Sequence, residues 1–196
     1  LRAGTLCVVR ADARRNLAKI VEAAASVMAE RGVSAPMELI ARRAGVGVGT
    51  LYRRFPDRGA LVAAVAEHYV ESLAEALDRA AAEAPDAWQG LRAFALWAGD
   101  PGRGALAAAL AELPEETYED RAAFVRARGR WLERLGALVR RAQAGGLMRA
   151  DVGTDDVVAA LNLFACHPEA LPAHVAARPV RFLELMLDGM KAGTPV

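Results

Sequence analysis

The chain has 196 residues, 54% hydrophobic and 6% aromatic, with 25 Lys/Arg against 24 Asp/Glu and a net charge of +1. That balance hides an asymmetry: residues 1–60 hold 11 Arg/Lys and 5 Asp/Glu, a net of +6, while residues 61–196 hold 14 and 19, a net of −5. This length can bury a core unaided. Cys7 and Cys166 form no CxxC or Cys/His cluster, so no disulfide framework or zinc site is implied, and no stretch of ~20 apolar residues suggests a membrane span.

Ala, Leu, Arg and Glu dominate, all strong helix formers, so the expected fold class is all-α. Residues 1–10 begin without Met and read as a tag remnant, a truncated start or a disordered arm. The first strong helix is expected over Asp12–Arg31, where Leu17, Ile20, Val21, Ala24, Val27 and Met28 recur at spacings of three and four. Gly32 ends it. Pro36 suits a first helical position, with Ser34 or Ala35 as the cap, and predicts a short helix over Met37–Ala44. Gly45-Val46 breaks it, and a third helix is predicted over Val48–Phe55. Asp57 reads as the cap of a long fourth helix, Arg58–Ala82, with Leu61, Val65, Tyr69, Leu73 and Leu77 on one face.

Beyond Pro85, Trp88–Gly99 reads as helical and Asp100-Pro101-Gly102 as a turn. Arg103–Leu113 reads as a short Ala-rich helix. A long helix is predicted over Tyr118–Ala144, with a stripe of Phe124, Arg128, Trp131, Leu135, Leu138 and Ala142. Thr154 is the expected cap of a helix over Asp155–Cys166, where Asp155 and Asp156 suit the positive N-terminal end. Residues 167–177 read as a loop, and Pro179–Ala192 as a last amphipathic helix.

The informative stretch is MELIARRAGVGVGTLYRRFPDR, residues 37–58. Two short helices joined by a Gly-containing turn form the unit that places a helix in the major groove. Gly47, Val48 and Gly49 permit close approach to DNA. Thr50 and Tyr52 offer hydroxyls to phosphate. Arg53 and Arg54 supply charge, and arginine can pair bidentately with guanine. Leu51 and Phe55 face inward. A helical hairpin in an ordinary bundle, wetted by its arginines, has the same periodicity.

The wording is more specific. ERGV (30–33) followed by LIARRAGVGVGTLYRRFPDRGALV (39–62) closely resembles the DNA-binding head of the TetR family of bacterial repressors, and FLELMLDGMKAG (182–193) resembles that family's final dimerisation helix. The resemblance implies a three-helix head over 11–58, a connecting helix over 57–82, and a roughly six-helix effector-binding and dimerisation body over 59–196. It implies that Val48, Gly49, Thr50 and Arg53 lie closest to the bases. Tyr52, Arg54 and Arg58 would hold phosphates, with Arg14 and Arg15 also near the DNA backbone. Pro36 and Arg54 depart from the small hydroxyl residue and His common at those positions, which puts half-site sequence in doubt but not DNA binding.

In the body the resemblance implies a pocket for a small-molecule effector. Trp88, Phe94, Trp97, Leu110, Tyr118, Phe124, Trp131 and Phe164 are the candidate lining, and plain core packing is the competing role for each. Arg128 interrupts an apolar stripe, so it is expected to be buried against a carboxylate or an anionic ligand. The last two amphipathic helices are the expected dimer interface, through Val158, Leu161, Leu183, Leu187 and Met190. The expected partners are therefore a pseudo-palindromic operator in double-stranded DNA, an effector and a second copy of the chain, in the cytoplasm, with no membrane, metal or cofactor. Relief of repression by effector is expected, although the sequence does not separate repressor from activator. An enzyme is not expected: there is no nucleophile elbow, Walker loop or HExxH, and Asp155 and Asp156 diverge on a helix.

Overall fold

The computed structural model describes residues 2–113, 122–167 and 170–193, and side chains from residue 15 onward except 101–103. Tyr118 and the side chain of Arg14 lie outside the described residues. The elements are α1 (Arg2–Arg31), α2 (Met37–Ala44), α3 (Val48–Arg54), α4 (Arg58–Glu83), α5 (Ala87–Ala98), α6 (Pro101–Ala111), α7 (Ala122–Ala144), α8 (Thr154–Ala165), α9 (Ala173–Ala176) and α10 (Pro179–Met190). The fold is all-α, as the composition predicts. An isolated bridge between Met148 and Lys191 ties the end of α10 to the turn after α7.

Several local expectations need correction. The first helix extends back to Arg2, well before Asp12. Pro36 is the cap residue of α2 rather than its first helical residue. The turn expected at Pro101-Gly102 is already the first turn of α6. Gly153, not Thr154, caps α8, and the Asp156 carboxylate accepts from the Gly153 N–H at 2.7 Å. The loop after α8 contains the one-turn α9. Asp57 does cap α4, accepting from the Ala60 N–H at 2.7 Å, and Asp86 does the same for α5 through Gln89 at 2.8 Å. Gly32 and Gly45 end their helices at φ +77° and +69°, a left-handed conformation costly for residues with a Cβ.

Two apolar cores share one helix. The head core joins Ile20, Val27 and Met28 of α1 to Ile40 of α2, Leu51 of α3 and Leu61 and Val65 of α4. The body core joins Leu73 and Leu77 of α4 to Leu91 and Phe94 of α5, Leu135 and Leu138 of α7, Leu161 of α8 and Leu183 of α10. The first half of α4 therefore belongs to the head and the second half to the body. Tyr69, midway along it, packs against both cores, as does Phe124 of α7. Helix α6 is a second link, because it packs on α1 and on α8. Displacing either link in the body moves an element that the head is built on, since close-packed interiors transmit strain.

Candidate nucleic-acid interface and ligand cavity

Helix α3 is anchored from below and bare above. Leu51 is fully buried and Phe55 nearly so, which fixes the helix against α1, α2 and α4. The other face carries Gly49, Tyr52, Arg53 and Arg54, all exposed, with Val48 and Thr50 half-buried beside them. Arg53 Nη2 donates to Thr50 Oγ1 at 3.1 Å, which aligns the guanidinium along the outer face. A Cβ built on Gly49 meets nothing within 4 Å, so no packing within the protein requires glycine there. A groove of about 290 Å³ runs between α1 and α3, lined by Asn16, Leu17, Ile20, Thr50, Arg53 and Arg54. It brings the α1 segment holding exposed Arg15 alongside α3. Asn16 went unnoticed in the sequence, where a lone polar residue beside an amphipathic stripe carries no signal.

Two other arginines brace the head. Arg43 of α2 makes a bidentate pair with Glu30 of α1 at 2.9 Å and also donates to Ser26 Oγ at 3.0 Å. That guanidinium holds the Glu30 carboxyl below its ordinary pKa. Arg58 Nη1 donates to the carbonyls of Val33 at 2.9 Å and Ala35 at 2.6 Å. The resemblance assigned Arg58 to phosphate, but Nη1 is spent on the fold, tying the start of α4 to the α1–α2 turn. The reason is geometric: those carbonyls follow the end of α1 and lie outside the helical ladder.

In the body, a cavity of about 140 Å³ lies between α4, α5, α7 and α8. Its apolar wall is Val70, Leu73, Phe94, Ala98 and Leu161; its polar members are Tyr69, Arg128, Trp131, Asn162 and Cys166. Burial pushes the Tyr69 phenol above its ordinary pKa, with a smaller contribution from nearby Cys166, so it is neutral across the physiological range. Trp131 is 8% exposed, and its Nε1 is buried with no hydrogen-bond partner. It is the sole buried side-chain nitrogen or oxygen in that state among the described residues. A larger groove of about 380 Å³ lies between the end of α4 and α5, where Phe94 and Trp97 contribute aromatic faces stacked at 6.4 Å.

Of the expected effector residues, the structure brings Phe94, Arg128 and Trp131 to the smaller cavity and Trp97 with Phe94 to the larger groove. Trp88 and Phe164 are buried in the body core and line neither. Leu110 is buried in the head core, because α6 turns its apolar face toward α1. Phe124 packs between the two cores. Arg128 is exposed, not buried in the stripe: the inward position on that turn belongs to Ala127, 2% exposed. Tyr69, Asn162 and Cys166 were missed. A tyrosine within an apolar stripe reads as core, and single polar residues on α8 read as its wet face.

Of the expected dimer residues, Leu161, Leu183, Leu187 and Met190 are at most 8% exposed and pack in the protomer's own core, and Val158 is half-buried. The same two helices carry Leu163, Val180, Leu185 and Met186 on the outer side, 36–52% exposed. Gly99 and Gly104 are close-packing positions: a Cβ would run into Leu183 Cδ2 at the first and come within 2.6 Å of the Ala165 carbonyl oxygen at the second. No group of three His, Cys, Asp or Glu side chains that could hold a metal, and no helix long and apolar enough to cross a membrane, occurs among the described residues.

Residues 20–65 match the family model for bacterial regulatory proteins of the tetR family, and residues 86–192 match that for the C-terminal domain of SbtR-like transcriptional regulators. A TetR transcriptional regulator from Streptomyces coelicolor is 33% identical over 90% of this chain and 98% of its own, with a TM-score of 0.67. A TetR regulatory protein from Mycobacterium vanbaalenii is 33% identical over 94% of this chain and 99% of its own, at 0.68. A ketosteroid transcriptional regulator from Mycobacterium tuberculosis shares the fold at 16% identity, 91% and 96% coverage and 0.62. No curated protein sequence matches.

Proposed function

The chain belongs to the TetR family of transcriptional regulators, with a DNA-binding helix-turn-helix head, and we propose that it is a repressor that leaves its operator when a small molecule enters the body. The observation that carries the reading is the α3 surface: a seated helix whose outer face is small at Gly49 and polar or cationic at Thr50, Tyr52, Arg53 and Arg54, with no described atom within 4 Å of a Cβ placed on Gly49. Arginines on such a helix can reach guanine edges, while Tyr52 and the flanking α1 segment suit phosphate. Arg58 contributes by holding α4 to the head.

The operator is double-stranded, pseudo-palindromic and met by a homodimer in the cytoplasm. A two-fold dimer sets its recognition helices one helical turn apart, about 34–36 Å. The outer face of α8 and α10 supports the dimer, because four of the six exposed large hydrophobic residues among those described lie there.

Release follows from the two links between body and head. The cavity wall includes Leu73 of α4 and Ala165 at the end of α8, and Gly104 of α6 sits against Ala165. A ligand that favours a wider cavity shifts α4 or α6, and with them the separation of the two heads.

The test is binding of the protein to the DNA upstream of its own gene, by fluorescence anisotropy, at about 50 and about 200 mM salt. Six to ten phosphate contacts predict a loss of about 10³- to 10⁵-fold between those conditions. The Tyr52→Ala/Arg53→Ala double variant should lose specific binding at either salt. Equal affinity for random DNA, followed by failure to select any site from a library, would remove the repressor reading.

A further inference from the structure

We propose that the cavity between α4, α5, α7 and α8 takes a small, uncharged, largely apolar molecule bearing one hydrogen-bond acceptor, and that Trp131 Nε1–H is the donor that recognises it. The inference rests on the effector reading above and names the chemistry of the ligand.

Size comes first. At about 140 Å³ the cavity is well short of the roughly 300 Å³ at which drug-sized sites begin. It matches the roughly 150 Å³ apolar cavity that admits a benzene ring. The ligand is therefore about one ring with a short substituent. Val70, Leu73, Phe94 and Leu161 supply carbon surface for it.

Charge is decided next. Among the described residues no Asp, Glu or Lys lines the cavity, and Arg128, the one cation among them, is an exposed residue. Tyr69 is held neutral by burial. An ionised group drawn into this space would lose hydration without a buried counter-charge, which is strongly unfavourable. The buried part of the ligand is neutral.

The polar feature is specified by what the wall lacks. A buried donor without an acceptor is unfavourable, and the indole of Trp131, which lines the cavity, carries such a donor. A turn of the indole toward an acceptor in the cavity removes that penalty. A ligand with no acceptor leaves it in place. A carbonyl or ether oxygen on a ring-sized body meets the requirement, and the Tyr69 hydroxyl is a second neutral partner on the same wall.

The test uses the full chain without DNA and three ring compounds of matched shape. Acetophenone carries a carbonyl; α-methylstyrene replaces its oxygen with CH₂; benzoate replaces its methyl with an anionic oxygen. Affinities are read by titration, and the indole ¹H–¹⁵N signals of the protein are followed by NMR, with Trp131→Phe assigning the signal. Acetophenone should bind about threefold to tenfold more tightly than α-methylstyrene, the net worth of one neutral hydrogen bond. It should move the Trp131 indole proton downfield. Trp131→Phe should bring the two affinities together without abolishing either, and benzoate should bind most weakly. Equal affinities in the native chain, or an unmoved indole signal, would overturn the proposal. Tightest binding by benzoate would place recognition on Arg128 at the rim and overturn it too. Binding of none of the three would remove the cavity as a ligand site. DNA is absent throughout, so each of these failures is distinct from a failure of operator binding.

Discussion

Gly49→Leu should raise the stability of the protein and destroy its DNA binding. Gly49 is the second residue of the seven-residue α3, exposed, and a Cβ there has no neighbour within 4 Å. The free protein therefore accommodates the side chain without strain. Leucine is a far better helix residue than glycine, by about 0.5–1 kcal/mol. In a chain of this size that raises Tm by about 1–4 °C. On DNA the sign reverses, because the leucine occupies space the groove needs. A misfit of about 1–3 kcal/mol per half-site, felt twice by a symmetric dimer, totals about 2–6 kcal/mol. That is a loss of roughly 30-fold to 20,000-fold in affinity. The assays are calorimetric melting and anisotropy on a selected operator. Lost binding with a lowered Tm would mean that the head itself was damaged. A raised Tm with unchanged affinity would refute the reasoning, because α3 would then not meet DNA through Gly49.

Three further outcomes follow from other parts of the structure. Leu185→Glu, on the outer face of α10 at 52% exposure, should turn the dimer to monomer by sedimentation equilibrium while leaving helix content unchanged; an unaltered dimer would place the interface elsewhere. Gly104→Val forces a branched side chain into the Ala165 carbonyl oxygen, 2.6 Å from where its Cβ would stand, and should cost about 1–3 kcal/mol in denaturant unfolding; no change in midpoint would show that α6 is not pressed against α8. The Glu30 carboxyl, held below its ordinary pKa first by its hydrogen bond to Arg43, contributes stability that is present above the usual carboxylate range and lost as pH falls through its depressed folded value; its NMR titration midpoint should rise toward the ordinary glutamate range in Arg43→Gln, and an unmoved midpoint would mean the pair does not persist in solution.

The head was legible because its constraints are local. Leu51 and Phe55 are four residues apart, Gly45 must turn the chain, and Asp57 must satisfy the first turn of α4, so residue order alone places an inward and an outward face on α3. The body was less legible because an amphipathic stripe shows which face is covered and not what covers it. Leu183, Leu187 and Met190 do form a covered face, but their own protomer covers it, and the exposed apolar residues Val180, Leu185 and Met186 lie on the other side of α10. The same ambiguity put Leu110 with the effector when it packs in the head. Arg128 was misplaced for a different reason: the true inward residue on that turn is Ala127, whose small side chain barely registers in an apolar pattern. The cavity residues Tyr69 and Asn162 come together only because α4 and α8 both pack against α5 and α7, elements far apart in the chain, which no spacing encodes. Arg58 shows the limit of resemblance, since a basic residue at a phosphate-binding position is also able to brace a turn by donating to Val33 and Ala35.

The most direct test of the central claim is selection from a randomised duplex library by the purified 196-residue chain, followed by sequencing of the retained DNA. The account predicts enrichment of an inverted repeat whose half-site centres lie one helical turn apart, bound by a dimer and lost in the Tyr52→Ala/Arg53→Ala variant. Retention of DNA with no shared sequence, or of the same sequence by the double variant, would contradict it.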